Sequence, residues 1–108
     1  MGTTGFVLVL TTLPSARDAE PIGRAIVTEG LAACVNVLAP MRSIYRWKGA
    51  VEVADEQQVV IKTTAANVDA LERRLRELHP YEIPEFVVVD LAGGTDAYLS
   101  WLAAACSP

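Results

Sequence analysis

Two strand-forming stretches around one tight turn constrain this chain more than any other feature. Leu31-Ala32-Ala33-Cys34-Val35-Asn36-Val37-Leu38 and Ser43-Ile44-Tyr45-Arg46-Trp47 lead into Lys48-Gly49-Ala50; Val51-Glu52-Val53 and Gln58-Val59-Val60-Ile61-Lys62-Thr63 lead out. Apolar, β-branched runs flanking a short glycine turn predict a β-hairpin. Pro40 removes one ladder donor, so the first arm must carry a bulge or lie at an exposed edge. A hairpin this long cannot be covered by the rest of a 108-residue chain. Its tip carries Tyr45 and Trp47, whose broad faces are costly to leave in water, so it is expected to reach a neighbouring subunit.

The flanking segments complete the fold. Gly5 to Thr12 reads as a buried first strand, and Ser15 with Asp18 can cap a helix in which Ala19, Ile22, Ala25 and Ile26 recur at helical spacing. Gly30 helps to end it. Asn67 can cap a second helix whose Val68, Leu71, Leu75 and Leu78 form one stripe, and His79-Pro80 stops it because proline lacks an amide donor. Tyr81 to Pro84 then connects to a fourth strand, Glu85 to Leu91. Gly93-Gly94 turns, and Thr95 or Asp96 opens a last helix bearing Tyr98, Leu99, Trp101 and Leu102. The order βαββαβ plus a helix predicts a single α+β domain over residues 1–108, a ferredoxin-like sandwich with an extra C-terminal helix and a long hairpin between the second and third strands. Both main helices are expected on one sheet face, with parallel pairing across the helical crossovers and antiparallel pairing in the hairpin.

Composition narrows the function. Hydrophobic residues make up 52% of the chain against 20% charged, more than so small a domain can bury alone, so part of the surplus is expected to face another subunit. A net charge of −4 is poor footing for nucleic-acid binding. The Arg73, Arg74 and Arg76 group reads as a solvated helix face. No run approaches the ~18 apolar residues of a membrane span, and Met1 to Gly5 lacks the basic residues of a signal peptide, so the expected location is cytoplasmic. Cys34 and Cys106 form no closely spaced metal motif and are expected to stay thiols. There is no glycine-rich phosphate loop, no GxSxG elbow and no metalloprotease helix motif, so neither catalysis nor an organic cofactor is expected.

Three segments go beyond fold class: Ala33-Cys34-Val35-Asn36-Val37, Ser43-Ile44-Tyr45-Arg46-Trp47-Lys48-Gly49 and His79-Pro80-Tyr81-Glu82-Ile83-Pro84-Glu85. In identity, order and separation they resemble the CutA divalent-cation-tolerance family, and Tyr98-Leu99-Ser100-Trp101-Leu102 is similar to that family's terminal helix. The resemblance runs from about Phe6 to Leu102. It implies a homotrimer with hairpins reaching across subunits, a PII-like architecture, and a role in tolerance of divalent metals, copper above all, without a catalytic reaction.

Two residue sets follow as candidates. Cys34 and His79 are good copper ligands and Glu82 could add a carboxylate, although their separation gives no spacing signal. Cys34 in an apolar strand reads rather more readily as a small buried hydrophobe, and His79 equally well as a charge complement to a helix C-terminus. The second set is a pocket between subunits for a small anionic ligand, with Arg46, Lys62 and Tyr81 as donors, Trp47 as a wall and Glu82 as a pocket acid. Against it, Lys62 can point to solvent and Glu82 can form a rim salt bridge. Tyr45, Trp47 and Trp101 are the expected trimer contacts.

Overall fold

The computed structural model describes residues 4–106, so the first three residues of the Met1 to Gly5 segment considered above lie outside the described residues. The elements run β1 (Phe6–Leu13), α1 (Ala16–Thr28), β2 (Cys34–Trp47), β3 (Ala50–Thr64), α2 (Val68–Leu78), β4 (Val87–Asp90) and α3 (Asp96–Ala105), with a short 3-10 turn at Ala65–Asn67 before α2. The expected order and the long hairpin are both present. The strands form one sheet in the order β2-β3-β1-β4.

Every pairing in that sheet is antiparallel, which corrects the expected parallel pairs. β3 inserts between β1 and β2, so the two strands joined by α1 are second neighbours. β1 likewise lies between β3 and β4, the pair joined by α2.

Alternation along the two central strands places the core. Val7, Val9, Val59 and Ile61 project from β1 and β3 toward Ala19, Ile22 and Ile26 of α1 and Leu71 and Leu75 of α2, all buried in one cluster. Both helices therefore cover the same face, as expected. α3 packs separately against β3 and buries Leu102 completely.

Caps differ from their expected form at two helices. Ser15 Oγ donates to Asp18 Oδ2 at 2.8 Å rather than receiving an amide. The Asn67 amide instead donates across to Gly30 O, Leu31 O and Thr63 Oγ1, tying the start of α2 to the end of α1. Thr95 does cap α3, accepting from Tyr98 N at 3.2 Å.

The hairpin turns at Lys48 and Gly49, both with positive φ (49° and 82°), the backbone of the two-residue turns that match strand twist. β2 slips register once, between Val37 and Pro40, where proline's missing donor predicts a break. Gln57 Nε2 closes that bulge by donating to Leu38 O at 2.6 Å. Beyond it the arm runs on with Ile44, Val51 and Val53 mostly in solvent, and the molecule extends to 44 Å in its longest dimension.

Candidate functional site

The site begins where α2 stops. His79 has extended backbone (ψ 134°) because Pro80 follows it, and the chain then doubles back past the hairpin as residues 79–85. His79 is 8% exposed, its ring 2.8 Å from Thr12 O through Nε2, while Nδ1 lies 3.1 Å from Tyr81 N. A carbonyl can only accept and a backbone N–H can only donate, so the ring is the neutral tautomer with its proton on Nε2. Both nitrogens are in use.

Tyr81 stacks at a tilt on His79, with ring centroids 4.9 Å apart, and its hydroxyl donates to Glu56 Oε2 at 2.7 Å. Glu56 comes from β3 and is also only 8% exposed. Burial, reinforced by the Glu56 carboxylate, pushes the Tyr81 phenol above its ordinary range and keeps it a donor. Beside this pair, Gln58 Nε2 bridges Thr11 O and Glu85 Oε2 at 2.7 and 2.8 Å.

Burial lowers the His79 pKa below 6.5, while Thr12 O and Glu56 oppose the shift. As the pH falls past about 6.5 the unfolded chain therefore takes up this proton first, and stability drops until the folded-state value is passed, with a slope of at most about 1.4 kcal/mol per pH unit. Above pH 6.5 the contribution is complete. Denaturant titrations from about pH 7.5 to 5.5 should show this loss, and His79→Gln should flatten it.

Tyr81, Glu56, Gln58 and Glu85 line one side of an open groove of about 930 Å³ between the 79–85 connector and the hairpin, while His79 faces away from it. Of the expected pocket set, Trp47, Tyr81 and Glu82 line it, joined by Tyr45, Glu56 and Glu85. Arg46 and Lys62 do not. Arg46 is exposed and pairs with Val51 across the hairpin, and Lys62 Nζ lies 5.8 Å from the Tyr98 ring centroid on the sheet. Glu56, not Glu82, is the carboxylate that Tyr81 holds. Its signal in sequence was weak, an acid in a polar run, Asp55-Glu56-Gln57-Gln58, that interrupts an apolar strand. On the far side of the connector a recess of about 230 Å³ reaches Thr11, whose buried hydroxyl has no partner among the described residues.

The family profile described as "CutA1 divalent ion tolerance protein" matches residues 7–105. The chain belongs to the CutA1 divalent ion tolerance family. It is 44% identical over 95 residues to the divalent-cation tolerance protein CutA of Thermus thermophilus, covering 88% of this chain and 92% of that one. It is 41% identical over 91 residues to human Protein CutA, covering 84% of this chain but 51% of the human one. The crystal structure of CutA from Xylella fastidiosa superposes with a TM-score of 0.92 at 40% identity over 96% of this chain and all of that one. That of the Thermus thermophilus protein superposes with a TM-score of 0.89 at 42% identity, over 92% and 96% of the two chains.

CutA1 membership raises the question of whether the proposed ligands fit a metal. Among the described residues no three His, Cys, Asp or Glu side chains stand together as a metal group. Cys34 pairs with Lys62, whereas His79 bonds to Thr12, the partner of Gln58. The two levels are four residues apart on β3, ~13 Å along the strand. Cys34, half-buried, has its thiol 3.7 Å from Asn36 Oδ1, and Glu82 is exposed at the groove. Cys34, His79 and Glu82 of one chain thus form no common site here. Among the described residues no helix is long and apolar enough to cross a membrane. CutA1 relatives carry names from different compartments, chloroplastic in Arabidopsis thaliana and periplasmic in Archaeoglobus fulgidus.

Proposed function

We propose that this CutA1 family chain is a cytoplasmic, non-catalytic homotrimer that serves tolerance of divalent cations by binding a small ligand in the groove beneath its hairpin. The observation carrying this reading is the convergence of Trp47, Tyr81 and Glu82 on one groove with the buried Glu56 behind them. A concave site with aromatic walls and few polar groups is the usual form of a small-molecule site. Support for assembly comes from the apolar surface: Ile44, Val51 and Val53 on the hairpin, Val87 to Val89 on the edge strand, and Tyr45, Trp47 and Trp101 are all exposed. Trimerisation would cover them and finish the groove with a second chain's residues.

A second reading is direct copper binding, favoured by Cys34 being a partly exposed free thiol. Calorimetry of Cu(II) and Zn(II) into the tag-free protein, with Cys34→Ala and His79→Ala in parallel, separates the two. Weak heats that ignore both substitutions are the expected result. Stoichiometric copper binding abolished by either change would make metal binding the primary role, and His79 would then have to give up one of its two hydrogen bonds.

A further inference from the structure

The recess of about 230 Å³ on the far side of the connector is separate from the groove, and none of the residues assigned above to assembly lines it. Its floor comes from β1. Val7 and Val9 point into the core beneath the helices, so Thr11, two residues on, points the same way, under the last turns of α2. Thr11 is 1% exposed. Its backbone is served, since it pairs with Val59 of β3 and its carbonyl accepts from Gln58 Nε2. Its hydroxyl has no partner among the described residues. The neighbouring positions on this face, Val9 and Leu13, are filled by aliphatic side chains. A buried hydroxyl without a hydrogen bond is costly beside a valine of the same shape, and a group that bonded it from within the recess would offset that cost.

The walls narrow what such a group can be. Leu75 of α2 and Ile83, Pro84 and Phe86 of the connector side are apolar. The polar groups around them are engaged: His79 uses both ring nitrogens, Glu85 Oε2 accepts from Gln58, and Arg76 pairs with Glu72 at 3.8 Å. A charged group brought to the floor would lose its water and find no free counter-charge, whereas a neutral hydroxyl or amide needs only the bond that Thr11 can give or accept. The volume exceeds what one water molecule needs and falls short of a drug-sized pocket.

We infer that this recess is a second binding site, for a small neutral molecule that carries one hydroxyl or amide on a compact apolar body, with Thr11 as its hydrogen-bond partner. The site is independent of the groove, and either reading can fail alone.

The test is heteronuclear NMR of the labelled, assembled protein titrated with isobutanol, isobutyramide, isobutyrate and isobutylammonium. Saturable shifts of the Thr11, Leu75 and Phe86 amides are expected with the two neutral probes, in the millimolar range that ligands of so few atoms reach, and not with the charged ones. Thr11→Val should weaken isobutanol binding about tenfold and leave the unfolding midpoint unchanged or raised, because it removes an unpaired hydroxyl at constant shape. Thr11→Ser keeps the hydroxyl and should bind within about threefold of the parent. Equal binding by the parent and Thr11→Val overturns the role of the hydroxyl, and a preference for isobutyrate or isobutylammonium overturns the neutral class. No saturable shift at these residues with any probe overturns the site, and a Thr11→Val protein that also unfolds more easily assigns the hydroxyl to a structural water instead.

Discussion

Sedimentation of the purified chain is expected to give one species near three times its 11.6 kDa mass, and an Ile44→Asp, Val53→Asp double variant is expected to give a monomer. Ile44 and Val53 face each other across the hairpin and are 72% and 51% exposed in the single chain. Both lie outside the core cluster, so aspartates there lose only this cross-strand contact and should leave the monomer's core intact. Within an interface they would bury two like charges side by side, which costs several kcal/mol. Isolated exposed aliphatics are ordinary, but this pair continues into Val51 on the same arm and is joined by the open apolar edge of β4. Thermal stability should fall with assembly: at about 4–8 °C per kcal/mol, losing subunit contacts amounts to a drop of tens of degrees. The midpoint of the parent should rise with protein concentration and that of the variant should not. A parent that sediments as a monomer at micromolar concentration, or a variant that remains assembled, would remove the case for the hairpin as an intersubunit arm.

Removing the Tyr81 hydroxyl should be the most costly single conservative change at the site. Tyr81→Phe leaves Glu56 buried with no donor, and a buried charged acceptor that loses its partner costs about 2 kcal/mol. The ring is retained, so its packing on His79 is unchanged and the loss reports the hydrogen bond. Glu56→Gln alone should cost less, because an amide is cheaper to bury than a charge. In the Tyr81→Phe, Glu56→Gln double variant the two losses should fall short of their sum by about 1 kcal/mol, the coupling that a double-mutant cycle isolates. Denaturant unfolding of all four proteins measures it; strict additivity would mean that the 2.7 Å bond contributes nothing to stability.

The fold was legible where periodicity and punctuation agree. The stripe Leu71, Leu75 on α2 and the alternation Val59, Ile61 on β3 mark which faces are buried, and Pro40 and Pro80 mark the two places where pairing or helix must break. Pairing direction was not legible, because the helical crossovers say that β1 and β2 run the same way without saying that β3 lies between them. Site residues divided similarly. Trp47, Tyr81 and Glu82 drew notice as aromatic or charged groups near turns and do line the groove. Glu56 escaped because nothing local distinguishes a strand carboxylate that faces solvent from one that meets a tyrosine 25 positions away. Lys62 drew notice as a charge ending an apolar strand, but the Tyr98 ring accounts for it within the chain.

The bulge in β2 decides which way the hairpin tip looks. Before it, odd residues of β2 pair with odd residues of β3, as Val37 does with Val59; after it odd meets even, as Met41 meets Glu56 and Tyr45 meets Glu52. If β2 slipped by one position to erase the extra residue, Tyr45 and Trp47 would rotate to the other side of the arm and Arg46 would take the groove side. That slip is opposed by the strand pairs on both sides of the bulge, by Pro40, which has no donor to give a regular ladder, and by the Gln57 amide on Leu38 O, all far along the strand from the tryptophan they aim. A change at the root of the hairpin that erased this extra residue would thus exchange the two surfaces of its tip, although no residue at the tip itself had changed.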